Sequence, residues 1–229
     1  MLTQYAENPL AKLPFFDPKS ALISSLSLCI LLRCDHLAIA ALASVVAIGS
    51  KFVFRWQDKH LFNPTNLALA VMLDTGLGWI SPGQWGQVAW FGFLITCLGS
   101  LVVTRAARAD VTCAFLAVYV GFFFARALWL GDPLAIPFHQ VESGALLIFA
   151  FFMISDPKTT PDSLAGRMVY ALCVALAALY VQFGLFRPNG SLWGLIACAP
   201  LVPLLDHLFP GTRYAWTRTS TGSASPNSS

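Results

Sequence analysis

The chain has 229 residues, 57% hydrophobic and 11% charged, with a formal net charge of +3 and a mean hydropathy of +0.68. A soluble domain carries about 25% charged residues, so this composition excludes an ordinary water-soluble globule. The small net charge comes with no basic run, which excludes a nucleic-acid surface.

Residues 1–18 are polar and interrupted by Pro9, Pro14 and Pro18, a cytoplasmic N-terminal segment and not a cleavable leader. Two short apolar stretches follow, 20–32 and 37–50, on either side of a turn with Asp35. A helix needs about 20 residues to cross ~30 Å of hydrocarbon, so stretches this short suit half-membrane or re-entrant helices as readily as spans. Phe62-Asn63-Pro64 opens a third stretch, 64–80, with Asp74 inside it. The blocks 84–104, 110–130 and 164–184 are each long enough to span. Between the second and third of these lie 143–155 (SGALLIFAFFMIS) and its Asp156 turn. After them Phe186-Arg187-Pro188-Asn189 opens 191–207, which contains Asp206. Residues 208–229 are rich in Ser and Thr and read as a disordered cytoplasmic tail. These features predict an all-α polytopic membrane protein, with one membrane domain at 19–207 and about eight transmembrane or half-membrane helices.

The distribution of positive charge sets an orientation. With a cytoplasmic N-terminus and eight crossings, 11 of the 14 Lys and Arg fall inside, Arg33 and Arg187 fall outside, and Arg126 lies within a segment. Both termini are then cytoplasmic in a multi-pass protein.

The chain also repeats itself. Units 20–74 and 143–206 each begin with a short segment starting at Ser, turn on an Asp, run through a second helix, and end in a Phe-x-Pro phrase whose apolar run closes on an acid. Ser20 to Phe62 is 42 residues and Ser143 to Phe186 is 43. Five crossings separate the two starts, so the units have opposite sidedness and form an inverted repeat of broken helices, joined by helices 84–104 and 110–130. In such folds the ligand sits near the midplane, where interrupted helices turn their ends toward it. Pro at a first turn gives up an N–H that has no partner there anyway, and Asn caps the turn. The N–H groups of such starts favour anionic or electron-rich groups. The expected binding residues are therefore Ser20, Asn63, Asn66, Ser143, Gly144 and Asn189, with Asp74, Asp156 and Asp206 shaping the charge. No side chain is assigned a catalytic role.

Several features have plainer readings. The six cysteines lie mostly inside apolar segments without a CxxC or a His/Cys cluster, so they read as small hydrophobes, with no metal and no disulfide expected. Asp156 also suits a cap for its turn. Arg126 suits a side chain snorkelling from a helix end, and Trp79, Trp85, Trp90, Trp129 and Trp193 suit interfacial belts. Phe122, Phe123 and Phe124 serve helix packing more readily than ring stacking on a ligand. His139 and Glu142 suit a solvated entrance loop as well as a gate.

SGALLIFAFFMISDPKTTP and FRPNGSLWGLIACAPLVPLLD resemble the C-terminal half of a membrane family. That family includes the RnfD subunits of Rnf electron-transport complexes and the NqrB subunits of the sodium-translocating NADH:quinone reductase. DPKSALISSLSL and HLFNPTNLALAV resemble two N-terminal segments of the same family. The resemblance covers roughly 17–80 and 139–207, in the family's order. It implies two inverted halves similar to urea transporters, a bacterial inner membrane, and electron transfer through flavin. The chain departs from the family in being shorter, without the first helices of the N-terminal half. It also lacks the flavin-attachment motif Ser/Thr-Gly-Ala-Thr, since the nearest string, Ser143-Gly144-Ala145-Leu146, has Leu where a hydroxyl is required. The resemblance thus implies a subunit of a membrane oxidoreductase that binds FMN or riboflavin, or quinone, noncovalently, with no covalent FMN. Its partners would be the bilayer and other membrane or flavin-binding subunits. The alternative class is a small-solute or flavin channel built on the same inverted plan, and a third is an accessory protein without a ligand.

Overall fold

The computed structural model describes residues 18–56, 59–80 and 89–212; the side chains of 18–23, 89 and 91 lie outside that description. The N-terminal segment 1–18 (all but Pro18), Trp85 and most of the tail thus lie outside the described residues. Among the described residues ten α-helices follow one another: α1 Pro18–Leu31, α2 Leu37–Val53, α3 Pro64–Asp74, α4 Ala89–Arg105, α5 Ala109–Leu130, α6 Ala135–Val141, α7 Gly144–Ile148, α8 Leu164–Leu179, α9 Gly190–Cys198 and α10 Leu201–Leu208. Two helices widen into π turns, α7 over Phe149–Met153 and α8 over Tyr180–Gly184. Two-residue strands tie the connections together. Antiparallel β1 (Leu32–Arg33) and β4 (Trp79–Ile80) join the end of α1 to the segment after α3. Antiparallel β2 (Arg55–Trp56) and β3 (Lys59–His60) lead into α3.

By length and apolar character, Ala109–Leu130 and Leu164–Gly184 each suffice to cross a membrane. Two bent pairs, Ala135–Val141 with Gly144–Met153 (51°) and Gly190–Cys198 with Leu201–Leu208 (54°), bring the number to four if each counts as one span. The surface agrees with this reading: Phe93 on α4 is 71% exposed and Leu176 on α8 is 52% exposed, and many other large apolar side chains are exposed with them. So much outward apolar surface would be a liability in water and is the normal covering of a protein in lipid. The chain is an all-α, multi-pass membrane protein.

The interior is built where helices approach closely. A Cβ on Gly190 would lie 2.4 Å from the Ala178 carbonyl oxygen, and one on Gly194 would lie 2.7 Å from the Ala178 nitrogen. These two glycines let α9 rest directly on the backbone of α8, the usual role of small residues between membrane helices. Phe115, Phe149, Tyr170, Val174 and Leu69 fill the centre and are fully buried. Thr112 of α5 donates its hydroxyl to the Ala150 carbonyl at 2.8 Å, satisfying a backbone oxygen within the π turn.

Two of the plainer readings concern side chains whose contacts the structure gives. Arg126 packs over the Phe183 ring, 4.6 Å from its centroid, and approaches Asp132 at 3.7 Å. Its side chain remains partly exposed near the end of α5. The three consecutive phenylalanines are packing groups: Phe122 and Phe123 meet Phe183, and Phe124 meets Phe138 edge-on at 5.0 Å.

Candidate ligand site

The phrase Phe62-Asn63-Pro64 starts α3 as its chemistry requires. Asn63 Oδ1 accepts from the Asn66 N–H at 3.1 Å, and Pro64 stands in the first turn. The same side chain faces outward from α3 as well. Asn63 Nδ2 donates to the Met153 carbonyl at 3.3 Å and to Asp156 Oδ2 at 3.4 Å. Carbonyls at a helix end lack intrahelical donors, and Met153 closes the π turn of α7, so the start of α3 satisfies the end of α7.

One turn further on, Asn66 is only 1% exposed. Its Nδ2 donates to the Leu192 carbonyl in the first turn of α9 at 3.1 Å. Its Oδ1 is buried with no hydrogen-bond partner among the described residues. An amide oxygen left in that condition costs about 1–3 kcal/mol. Asn189, which begins α9, adopts the left-handed conformation (φ 59°) and makes no side-chain cap. The Leu192 N–H of that turn donates to the Asn189 carbonyl at 3.1 Å, and the N–H groups of Gly190 and Ser191 ahead of it stand where a helix offers no intrahelical acceptor, so an acceptor and backbone donors lie within one turn of each other.

Asp156 adjoins this point. Its Oδ1 accepts from the Lys158 N–H at 2.9 Å, and its carbonyl accepts from Thr160 Oγ1 at 3.0 Å. Burial pushes its carboxyl pKa up, opposed by the Lys158 N–H and by the charges of Lys51, Lys158 and Arg108. His60, just ahead of the phrase, is pushed down to about 4 by burial and then by Lys158, Lys51 and Arg55.

A second polar group braces the same loop from outside. Lys59 Nζ lies 2.6 Å from Asp206 Oδ2, 2.9 Å from Asp162 Oδ1 and 3.0 Å from the Thr160 carbonyl. Asp206 Oδ1 accepts from the Asp162 N–H at 2.7 Å. Arg108 reaches Thr160 Oγ1 at 3.1 Å, and Arg167 pairs with Asp110.

Of the residues expected at the site, Asn63, Asn66, Asp156 and the α9 start at Asn189 come together. Ser143 and Gly144 open α7, whose ten residues to Met153 span about 15 Å at 1.5 Å each, so they stand at the far end of that helix. The α3 start therefore meets the end of α7 and the start of α9, and not the starts of both. Asp74 is exposed at the opposite end of α3. Asp206 belongs to the Lys59 brace. Ser20 falls in α1, and its side chain lies outside the described residues. The brace residues Lys59, Thr160 and Asp162 carried one faint signal, a lysine placed three residues before Phe62 in a chain poor in charge.

Comparison with known proteins gives a consistent result. The chain is 31% identical over 134 residues to the D-subunit of the ion-translocating oxidoreductase complex of Erwinia tasmaniensis, covering 58% of this chain and 35% of that protein. The protein of the same name from Klebsiella pneumoniae is 34% identical over 136 residues, with 58% and 35% covered. That from Psychromonas ingrahamii is 26% identical over 125 residues, with 54% and 36% covered. The chain thus spans about a third of the length of these relatives. The sequence profile of the NQR2, RnfD, RnfE family matches residues 40–215, a region that contains α3, α7, α9 and the polar groups between them. By that match, the chain belongs to the NQR2, RnfD, RnfE family.

Proposed function

We propose that this chain is a membrane subunit of a flavin-linked electron-transfer complex in a bacterial inner membrane, holding FMN or riboflavin noncovalently where α3 meets α9. The observation that carries this reading is the buried, unpartnered Oδ1 of Asn66 beside the first turn of α9. The pyrimidine edge of an isoalloxazine has an N–H between two carbonyls, matching an amide acceptor next to backbone donors. A bound flavin supplies one- and two-electron transfer.

Within this reading each side chain has a definite task. Asn66 binds, Asn63 sets the first turn of α3 so that Asn66 points inward, and Asp156 with the Met153 carbonyl holds Asn63. Apolar packing around Leu69 and Leu192 keeps water out. Attachment through phosphate is not part of the reading, because Leu146 stands where a hydroxyl would be required. The names of the relatives, complex subunits of an oxidoreductase, support partners in the form of other membrane or flavin-binding subunits. The eight crossings, the cytoplasmic termini and the opposite sidedness of 20–74 and 143–206 are parts of the same proposal. They are supported by the charge distribution and by the repeated Phe-x-Pro phrases.

The test begins with purification of the full chain in mild detergent and absorbance across the flavin bands, before and after acid precipitation. The expected result is yellow protein whose flavin is released by acid, with Asn66→Leu folded but colourless. Wild-type protein that is colourless and takes up no added flavin overturns the reading. The same acceptor and donors would suit a small amide solute in a channel, and proteoliposome flux of such a solute by flavin-free protein would establish that rival.

A further inference from the structure

The strand pair β2–β3 combines two features that are seldom found together away from a membrane surface. Val53 and Trp56 are 72% and 58% exposed, and Phe54 reaches back to Phe62, edge-on with ring centroids 5.5 Å apart. Between them Arg55 is exposed, and it lies opposite His60 across the strand pair. The His60 N–H donates to the Lys158 carbonyl at 3.1 Å, which draws the loop carrying exposed Lys158 onto the same spot. Lys51, one turn from the end of α2, lies close enough to add its charge, and its Nζ donates to Ser24 Oγ at 3.1 Å. The Nδ1 of His60 is buried and has no hydrogen-bond partner among the described residues. Basic side chains from the end of α2, the strand pair and the loop after α7 therefore converge around one imidazole, with apolar side chains at their edge.

Positive charge alone on this face would follow from the orientation rule. Exposed Val and Trp alone would be lipid contact. Interleaved, they match the headgroup layer, where phosphates lie beside glycerol and the first acyl carbons. We propose that β2–β3 together with Lys158 is a binding site for the phosphate of an anionic phospholipid. Arg55 and Lys158 face the phosphate, and Val53 and Trp56 lie against the glycerol and upper acyl chain. This assignment does not depend on whether the chain holds a flavin.

The full chain in detergent, mixed with equal amounts of phosphatidylglycerol and phosphatidylcholine, is examined by native mass spectrometry for retained lipid. Wild type is expected to retain phosphatidylglycerol in excess. Arg55→Gln and Lys158→Gln should each reduce that excess by about fivefold, the usual effect of one basic residue at an anionic surface. Arg105→Gln removes an exposed arginine at the end of α4, outside the strand pair, and should leave the excess unchanged. Arg55→Lys, which keeps the charge, should retain it and thereby separates loss of the site from loss of the fold. An equal fall in all three glutamine variants would mean diffuse attraction and would overturn the proposal. So would equal retention of the two lipids by wild type, or an acidic protein occupying the face in place of lipid.

Discussion

His60 shows how one side chain registers its surroundings. Burial first, and then Lys158, Lys51 and Arg55, bring its pKa from 6.5 to about 4. The folded state therefore keeps the imidazole neutral through a range where the unfolded chain takes up a proton. Stability from this source is complete above pH 6.5 and is lost as pH falls through 4, by about 3 kcal/mol at most. In a detergent-solubilised thermal series, wild type should lose apparent stability between pH 6.5 and 4.5, and His60→Gln should show a flatter profile over that interval. Asp156 runs the other way: its raised pKa means that its ionised form weighs against the fold at neutral pH, a strain tolerated where it holds Asn63. At this scale the sequence was informative about Asn63, whose Asn-Pro pair carries a local cap within three residues. It offered Asn66 as a binding residue but carried no record of the contact that buries it, with Leu192, 126 residues away.

At the scale of elements, contact between α8 and α9 decides whether the two Phe-x-Pro helices can meet. The Ala178 carbonyl oxygen lies where a Gly190 Cβ would be, and backbone cannot move aside as a flexible side chain can. Gly190→Val should destabilise the protein by about 3 kcal/mol, read as a lower apparent unfolding midpoint, while Ser191→Ala beside it should change little. The π turns belong to this scale too. Nothing in FAFFM or YVQFG separates a π turn from an α-helix by periodicity; in the first of them a neighbouring helix supplies a donor to the backbone, Thr112 to the Ala150 carbonyl. The start of α9 differs from expectation in a related way: Asn189 turns left-handed and does not cap, since Gly190 must fit against α8 first.

For the whole molecule, opposite sidedness of the two units has a direct check. Single cysteines at Ser20 and Ser143, in a background with the native cysteines replaced, should react with impermeant reagent from opposite sides of sealed vesicles. Labelling from the same side would remove the inverted arrangement while leaving the observed contact between α3 and α9 intact. Lys59 ties these regions physically, since one ammonium joins the loop before α3 to Asp162 and to Asp206, near the end of α10.

The amino-acid sequence by itself determined the solvent of this protein, the places where helices begin and break, and the family to which it belongs, because apolar length, Pro-Asn starts and local phrases are short-range properties of a chain. Which ends face one another was decided only by tertiary packing. Ser143 and Asn189 look alike as helix starts, yet the ten-residue length of α7 carries Ser143 away from the site while the glycine face of α9 brings Asn189 toward it. Asn66 becomes a buried acceptor, and Lys59 a brace between two carboxylates, through contacts more than 100 residues apart, and hydrophobic pattern and propensity carry no record of such distances.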